Sequence, residues 1–361
     1  MSYILGINIS HNPSSCLLKD GKVILYKEET EETLGYKPFY EYGNNDPVYC
    51  SIVEDILKLT DTIDHVIFTS TRRKQDLFDN LVISRFHDLL FKKHKLKATN
   101  IYYFAENHHI YHGLKAYKDS GFDEAVVMVM DGHGTYLTHQ PSYREIDSIY
   151  KFTPVASSTI FKHYSSAGNY HTTKNEIPNL PILSFQNKYK THYIMSDRVS
   201  SGYYFCDTSM NMFKADPAVD TCMSKELMEL SLKYKENITE TKNVKYLDGF
   251  AYIDLSLGEI LASSLSDLST LEQAKYAKQI QVDTKVYATT NFKKAMELSG
   301  CNNVVLSGGF FMNKINNRAY IKENPGINFY IDSVPHDGGT AIGAAYYVHA
   351  LLNNYYFALQ K

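Results

Sequence analysis

Tyr3-Ile4-Leu5-Gly6-Ile7-Asn8-Ile9-Ser10-His11-Asn12-Pro13-Ser14-Ser15-Cys16-Leu17-Leu18-Lys19-Asp20-Gly21-Lys22-Val23-Ile24-Leu25-Tyr26 is the stretch on which the fold turns. Tyr3 to Ser10 has the pattern of a buried strand, and His11 to Ser15 is a polar loop. Cys16 to Leu18 reads as a second strand, and Lys19-Asp20-Gly21 turns the chain into a third over Lys22 to Tyr26. Outward from it, Asp46-Pro47 predicts a helix start, Asp as N-cap and Pro at the first helical position. Val48, Ile52, Val53, Ile56 and Leu57 form one apolar stripe behind it. His65 to Ser70 reads as a strand and Asp76 to Phe91 as a helix. Strands alternating with helices in this way predict a mixed α/β sheet with crossover helices.

A hydroxyl-rich loop between two antiparallel strands is how actin-like and sugar-kinase-like folds hold a phosphate. An ordinary hairpin gives the same pattern. The motif recurs at Ala125 to Met130, an apolar run ending in Asp131-Gly132-His133-Gly134-Thr135, followed by a turn near Gln140-Pro141-Ser142 and by Ser148 to Val155. Two copies of one hairpin-led unit imply two similar lobes facing a cleft. Residues 160–225 read as irregular and are expected to form a functional insertion or a surface excursion. Asp248 to Leu255 reads as a strand. Ser269-Thr270-Leu271-Glu272 has the form of a capping box opening a helix toward Met296, which leads into a strand at Asn303 to Leu306. Next comes Ser307-Gly308-Gly309-Phe310-Phe311-Met312-Asn313, where paired glycines let backbone approach a flat or anionic ligand. Thr340 to Asn353 reads as an apolar helix whose Gly343-Ala344-Ala345 is small enough to pack closely on a sheet.

The chemistry-bearing stretch is Glu106-Asn107-His108-His109-Ile110-Tyr111-His112-Gly113. Its helical continuation places His108 and His112 one turn apart on one face, where both imidazoles can reach one ion. Asp131 follows a strand, and Asp337 stands in Pro335-His336-Asp337-Gly338-Gly339-Thr340, just before the last helix. Two histidines and two acids at element ends make a plausible four-ligand site. The alternatives are a solvent-facing or core-satisfied histidine pair and, for Asp131, a plain Asp-Gly turn.

Composition narrows the function classes. With 361 residues the chain is long enough for about two cores. Its 37 basic and 40 acidic residues leave a net charge of −3, so no global field favours nucleic acid or an anionic membrane. Arg72-Arg73-Lys74 and Lys92-Lys93-His94-Lys95 read as solvated faces, with nucleic-acid contact as the alternative. Five cysteines without a C-x-x-C pair point to a reducing compartment. No window reaches the length of a membrane span and no leader pattern opens the chain, so a cytoplasmic protein is expected.

Taken in order, these motifs resemble the amino-terminal domain of the O-carbamoyltransferases that act on nodulation factors and aminoglycoside antibiotics. That family is related to the tRNA threonylcarbamoyl-transferring enzymes of the actin-like ATPase superfamily. Gly6 to Ser14 looks like the family's opening loop, and His108 to His112 like its metal-binding helix. Asp131 to Gly134 resembles its second phosphate-side loop, Ser307 to Asn313 its nucleotide loop and Pro335 to Gly343 its closing motif. Lys225-Glu226-Leu227-Met228 matches a further short motif. Thr135 departs from the pattern, standing where the family usually places an acid.

The resemblance implies a two-lobed actin-like, sugar-kinase-like fold, a duplicated ribonuclease-H-like unit. Its first lobe would cover 1–121, joined by the C-terminal helix at about 339–354. The second would cover 122–338, with the insertion at 160–225. His108, His112, Asp131 and Asp337 would hold a divalent metal, Fe(II) by analogy, although the ligand set alone admits zinc or manganese equally. Ser307, Gly308, Gly309 and Asn313 would cradle adenosine, with Gly132, Gly134 and Gly338 in the other nucleotide-side loops. His11 would line the reactive centre and Lys37 would lie near the transferred group. The family's donor is carbamoyl-adenylate, made from carbamoyl phosphate and ATP by a following domain, which is expected to be absent here. A separate adenylate-forming partner chain is therefore expected, with a hydroxyl of a small molecule, sugar or nucleoside as acceptor. A non-catalytic nucleotide-binding subunit and a tRNA threonylcarbamoyl transferase are the alternatives.

Overall fold

The computed structural model describes residues 2–10, 12–29, 50–71, 82–103, 107–137, 140–166, 182–215 and 222–357. β1 (Tyr3–Asn8), β2 (Ser14–Lys19) and β3 (Lys22–Glu28) form an antiparallel meander. Its second turn is made at Asp20 and Gly21, both at positive φ (50° and 77°), which suits the right-handed twist of the strands. β4 (Thr62–Thr69) pairs parallel to β1 and β5 (Lys97–Tyr103) parallel to β4, giving the order β3-β2-β1-β4-β5. On one face lie α1 (Val53–Leu57) and α2 (Val82–His87), the latter continuing as a π-helical turn over Asp88–Lys93. Ile52, Val53, Ile56, Phe86 and Leu90 are buried there with Leu5, Ile7 and Phe68. The expected helix start at Asp46-Pro47 and the first part of the Asp76–Phe91 helix lie outside the described residues.

After α3 (His108–Ser120) the pattern repeats. β6 (Ala125–Met130) pairs with β8 (Gln140–Phe152), which pairs with β9 (Ala156–Ser165), all antiparallel, and the two-residue β7 (Tyr136–Leu137) edges β8. The sheet extends at one side through β10 (Leu183–Gln186) and β11 (His192–Ser196). The helices α4 (Ser201–Met212) and α5 (Ser224–Ser231) follow, then the hairpin β12 (Val244–Leu247) and β13 (Phe250–Ile253) and the short α6 (Leu257–Ala262). α7 (Thr270–Ser299) opens on the capping box of Ser269 and Glu272. It leads to β14 (Asn303–Ser307), α8 (Lys314–Glu323) and β15 (Asn328–Ile331), with β14 parallel to β6 and β15 parallel to β14. The order β9-β8-β6-β14-β15 thus reproduces β3-β2-β1-β4-β5 in both sequence and strand direction. This is the duplicated, two-lobed actin-like fold.

α9 (Thr340–Leu352) carries the chain back toward the first lobe, and β16 (Tyr356–Phe357) then returns to the edge of β9. α3 and α9 fill the space between the two sheets. The buried cluster there joins Ile4, Cys16 and Leu18 to Leu114, Val127, Val129, Ala344 and Val348. The helices touch through Gly343, where a Cβ would stand 1.9 Å from the Tyr111 carbonyl oxygen. β6, covered on both faces, is buried at every residue. Within the 160–225 segment the described residues hold the end of β9, two strands, one helix and the first residues of α5, not irregular chain. The elements there are short and their polar faces mask the period. Among the described residues no helix is long and apolar enough to cross a membrane.

Candidate metal centre

α3 starts at Asn107, whose side chain makes no cap; instead the Thr135 hydroxyl accepts the His108 N–H at 3.2 Å. The helix stops at Gly121, in the left-handed region at φ 69°. Between these ends the four-residue spacing aims His108 and His112 the same way, and both are fully buried. Asp131, the first residue after β6, and Asp337, in the 3-10 turn before α9, arrive opposite them. His108 Nε2 lies 3.1 Å from Asp131 Oδ2 and 3.4 Å from Asp337 Oδ1. His112 Nε2 lies 3.6 and 3.5 Å from the same two oxygens, and the two Nε2 atoms are 3.1 Å apart. A tetrahedral ion with bonds near 2.1 Å has ligand-to-ligand edges of about 3.4 Å. The donor atoms, all within 4.8 Å of one another, are therefore spaced as the corners of a coordination shell.

The charges agree with the spacing. Burial pulls the His108 imidazole down, but the Asp337 charge and hydrogen bonds to Asp131 and Asp337 outweigh it and hold its pKa at about 9. Two buried carboxylates facing two imidazoles call for positive charge, and a divalent cation would supply it. Nitrogen and carboxylate donors fit iron, zinc or manganese alike.

Each carboxylate is also held from behind. The Gly132 N–H donates to Asp131 Oδ1 at 2.7 Å, and the Ser10 hydroxyl donates to Asp337 Oδ2 at 3.3 Å. The Asp337 carbonyl accepts from the Asn8 amide at 3.1 Å and the Thr340 hydroxyl at 2.6 Å, and the Gly338 carbonyl from the Ser14 hydroxyl at 2.7 Å. Such contacts orient ligands and tune affinity. The sequence reading missed Asn8, Ser10, Ser14 and Thr135 as supports. For Asn8 a signal existed, an amide inside Leu5-Gly6-Ile7-Asn8-Ile9 that has to be satisfied when buried.

The residues expected to face a nucleotide lie in the loops after β6 and β14 and in the turn before α9. Gly308 has φ 96°, and a Cβ there would lie 2.2 Å from the Met130 carbonyl, so the loop after β14 can cross the end of β6 only with glycine. A Cβ on Gly309 would come within 3.2 Å of Asp131 Oδ1, so the paired glycines abut one of the candidate ligands. Ser307 and Asn313 have their side chains committed to the fold. The Ser307 hydroxyl donates to Asp332 at 2.7 Å, while Asn313 accepts from the Asn316 N–H at 3.2 Å and donates to Gln281 at 2.9 Å. Gly132 and Gly134 flank His133 after β6, the Gly134 N–H donating to the Glu145 carbonyl at 2.6 Å. Gly338 lies beside Glu28 at the end of β3. His11 and Lys37 lie outside the described residues.

The family described as Carbamoyltransferase N-terminus matches residues 56–346, a span that includes all four presumptive ligands. The chain belongs to that family. Membership makes it a domain of the carbamoyltransferase class, and carbamoyl transfer the general reaction of its relatives. Among curated proteins no match was found. Of solved structures, HypF of T. kodakarensis is 12% identical with a TM-score of 0.57, over 98% of this chain and 49% of that one. A full-length HypF in its phosphate- and nucleotide-bound form is 16% identical with a TM-score of 0.54, over 97% of this chain and 56% of that one. At these identities the likeness speaks for the fold alone, and this carbamoyltransferase-family chain spans about half the length of either HypF.

Proposed function

We propose that this chain is the transfer domain of a metal-dependent carbamoyltransferase, moving a carbamoyl group from carbamoyl-adenylate to a hydroxyl of a small molecule, sugar or nucleoside. The observation that carries this is the meeting of His108, His112, Asp131 and Asp337 at coordination spacing, between lobes of the family's fold. A divalent ion bound there, Fe(II) by family analogy, would act as a Lewis acid toward carbonyl and phosphate oxygens, an effect typically worth several kcal/mol.

The chain's own residues have separate tasks in this reading. Asn8, Ser10 and Thr340 hold the Asp337 turn in place. The backbone of Gly308 and Gly309 offers the close approach that a nucleotide needs next to Asp131. His11, which follows the Ser10 that contacts Asp337, takes the acceptor's proton or hydrogen-bonds the developing oxyanion. By the family resemblance, Lys37 is the lysine assigned to the transferred group. The first lobe comprises 1–121 with the C-terminal helix, and the second 122–338. A separate cytoplasmic chain forms the adenylate.

Elemental mass spectrometry on anaerobically purified protein tests the reading, beside a transfer assay supplied with carbamoyl-adenylate. About one divalent ion per chain, lost in both His112→Ala and Asp337→Ala, is the expected result. Wild-type protein that takes up no ion even when Fe(II) is offered, and transfers nothing, would leave a nucleotide-binding subunit without turnover.

A further inference from the structure

α3 carries a third buried polar side chain on its histidine face. At about 100° per residue, His108, His112 and Lys115 fall within about 60° of arc. Lys115 is 1% exposed, and its ammonium contacts the carboxylate of Asp332, whose side chain is wholly buried. The same ammonium lies 3.1 Å from Asp119 Oδ2 and donates to the Ser333 hydroxyl at 3.3 Å. Burial pulls the ammonium's pKa down, but the Asp332 charge outweighs it and raises the pKa, so the group stays cationic.

Asp332 is the first residue after β15. It also accepts from the Ser307 hydroxyl at 2.7 Å and the Val334 N–H at 3.1 Å. Only Ser333, Val334, Pro335 and His336 separate it from Asp337. One end of the pair is therefore a single turn from His112 on α3, and the other opens the segment that delivers Asp337.

We propose that the buried Lys115–Asp332 ion pair is a positioning device for the metal centre, fixing the register of the histidine helix against the segment that carries Asp337. The inference rests on the metal reading above. Sliding of α3 along its own axis would carry both histidines away from Asp337, and one residue is a step of about 1.5 Å. Ligand distances in a working site tolerate about 0.2 Å. A directional pair whose ammonium holds Asp332 and the adjacent Ser333, Asp119 being on α3 itself, supplies a constraint along that axis. Neutral side chains of similar volume fill the same space and often leave a fold intact, which separates positioning from simple core filling.

The test is anaerobic titration with Co(II), reading affinity and the visible d–d spectrum, which reports coordination geometry. Wild type is compared with His112→Ala, Lys115→Met and the double variant Lys115→Met/Asp332→Asn, each checked for folding by circular dichroism and urea unfolding. The double variant removes both charges together, so it carries the test where Lys115→Met alone, leaving Asp332 without its cation, fails to fold. The expected result is affinity about 10- to 100-fold weaker in the folded pair variants, with an altered spectrum. A folded double variant with wild-type affinity and spectrum overturns the inference and leaves the metal reading standing. Wild type whose Co(II) response is unchanged in His112→Ala overturns both.

Discussion

Gly343→Ala tests how tightly the centre depends on helix packing. A Cβ at this position would sit 1.9 Å from the Tyr111 carbonyl oxygen and 2.5 Å from its carbon, where real Cβ contacts do not fall below 3.0 Å. Both obstructing atoms are backbone, so no rotamer change clears them, and α3 and α9 must part by about 1 Å. Overpacking of this kind costs about 1–3 kcal/mol, while alanine in place of glycine returns about 1 kcal/mol of helix propensity. A net loss of up to about 2 kcal/mol is expected. The effect on the centre should be larger than the effect on the fold. His112 is the residue after Tyr111, and Asp337 lies in the turn that leads into α9, so the displacement opens the shell across its middle. Metal affinity should drop at least tenfold in equilibrium titration, with urea unfolding recording the smaller stability change. Ala344→Gly, which removes a methyl from the same buried helix, should lose about 1 kcal/mol or somewhat more and keep its affinity. Gly343→Ala protein as stable as wild type with undiminished affinity would refute the reasoning.

Four further outcomes follow from the contacts described. Asp337→Asn should lower metal content measured by elemental analysis to near background while the chain stays folded, since Asn keeps the shape but not the charge. Thr135→Val removes the acceptor of the His108 N–H and should weaken metal binding several-fold, with thermal stability down by about 1 kcal/mol. Ser269→Ala breaks the capping box of α7 and should lower stability in urea by about 0.5–2 kcal/mol without touching metal affinity. Burial, with the nearby Cys222 second, pushes the Asp207 carboxyl up to about 7 from its ordinary 3.8. The folded chain then binds that proton more tightly than the unfolded chain, so this contribution is complete below about pH 4 and is lost as pH rises through 7. Melting temperatures across pH 5–8 should therefore fall less steeply in Asp207→Asn than in wild type.

Much of the fold could be read from local patterns because the elements that decide it are locally encoded. The meander of β1 to β3 is set by alternation and an Asp-Gly turn. The histidine helix shows in its four-residue spacing, α7 in its capping box and α9 in an apolar run with small residues. In the second sheet Ser148 to Val155 was legible as part of the repeat, but the first half of β8 and most of β9 were hidden for a physical reason. β8 and β9 carry Glu145, Asp147, Lys162 and His163 on buried faces, where Glu145 contacts Lys162 and Asp147 accepts from the Tyr287 hydroxyl at 2.6 Å. Charges satisfied only by distant partners look, in a sequence, like solvated chain. Lys115 is the same case. Between Leu114 and Ala116 it reads as an ordinary surface lysine, and only the fold brings Asp332 to it. Ser307 and Asn313 show the converse, since a loop pattern gives no sign that their side chains are already engaged. The four presumptive ligands were nameable because histidine and aspartate at element ends are scarce, but their meeting point belongs to the topology.

That topology also puts the centre on a clock. His112 and Asp337 are more than two hundred residues apart in the chain, and α9, which shares the inter-sheet core with α3, follows Asp337 directly. At about 5–20 residues per second of synthesis, roughly ten to fifty seconds separate the two ligands during translation. Through that interval the histidine helix has no complete set of ligands, and the inner face of the first sheet lacks the helix that closes it. An ion can be held by all four side chains only after the ribosome has passed residue 337, so a fully coordinated centre would mark a chain whose two lobes have already closed on each other.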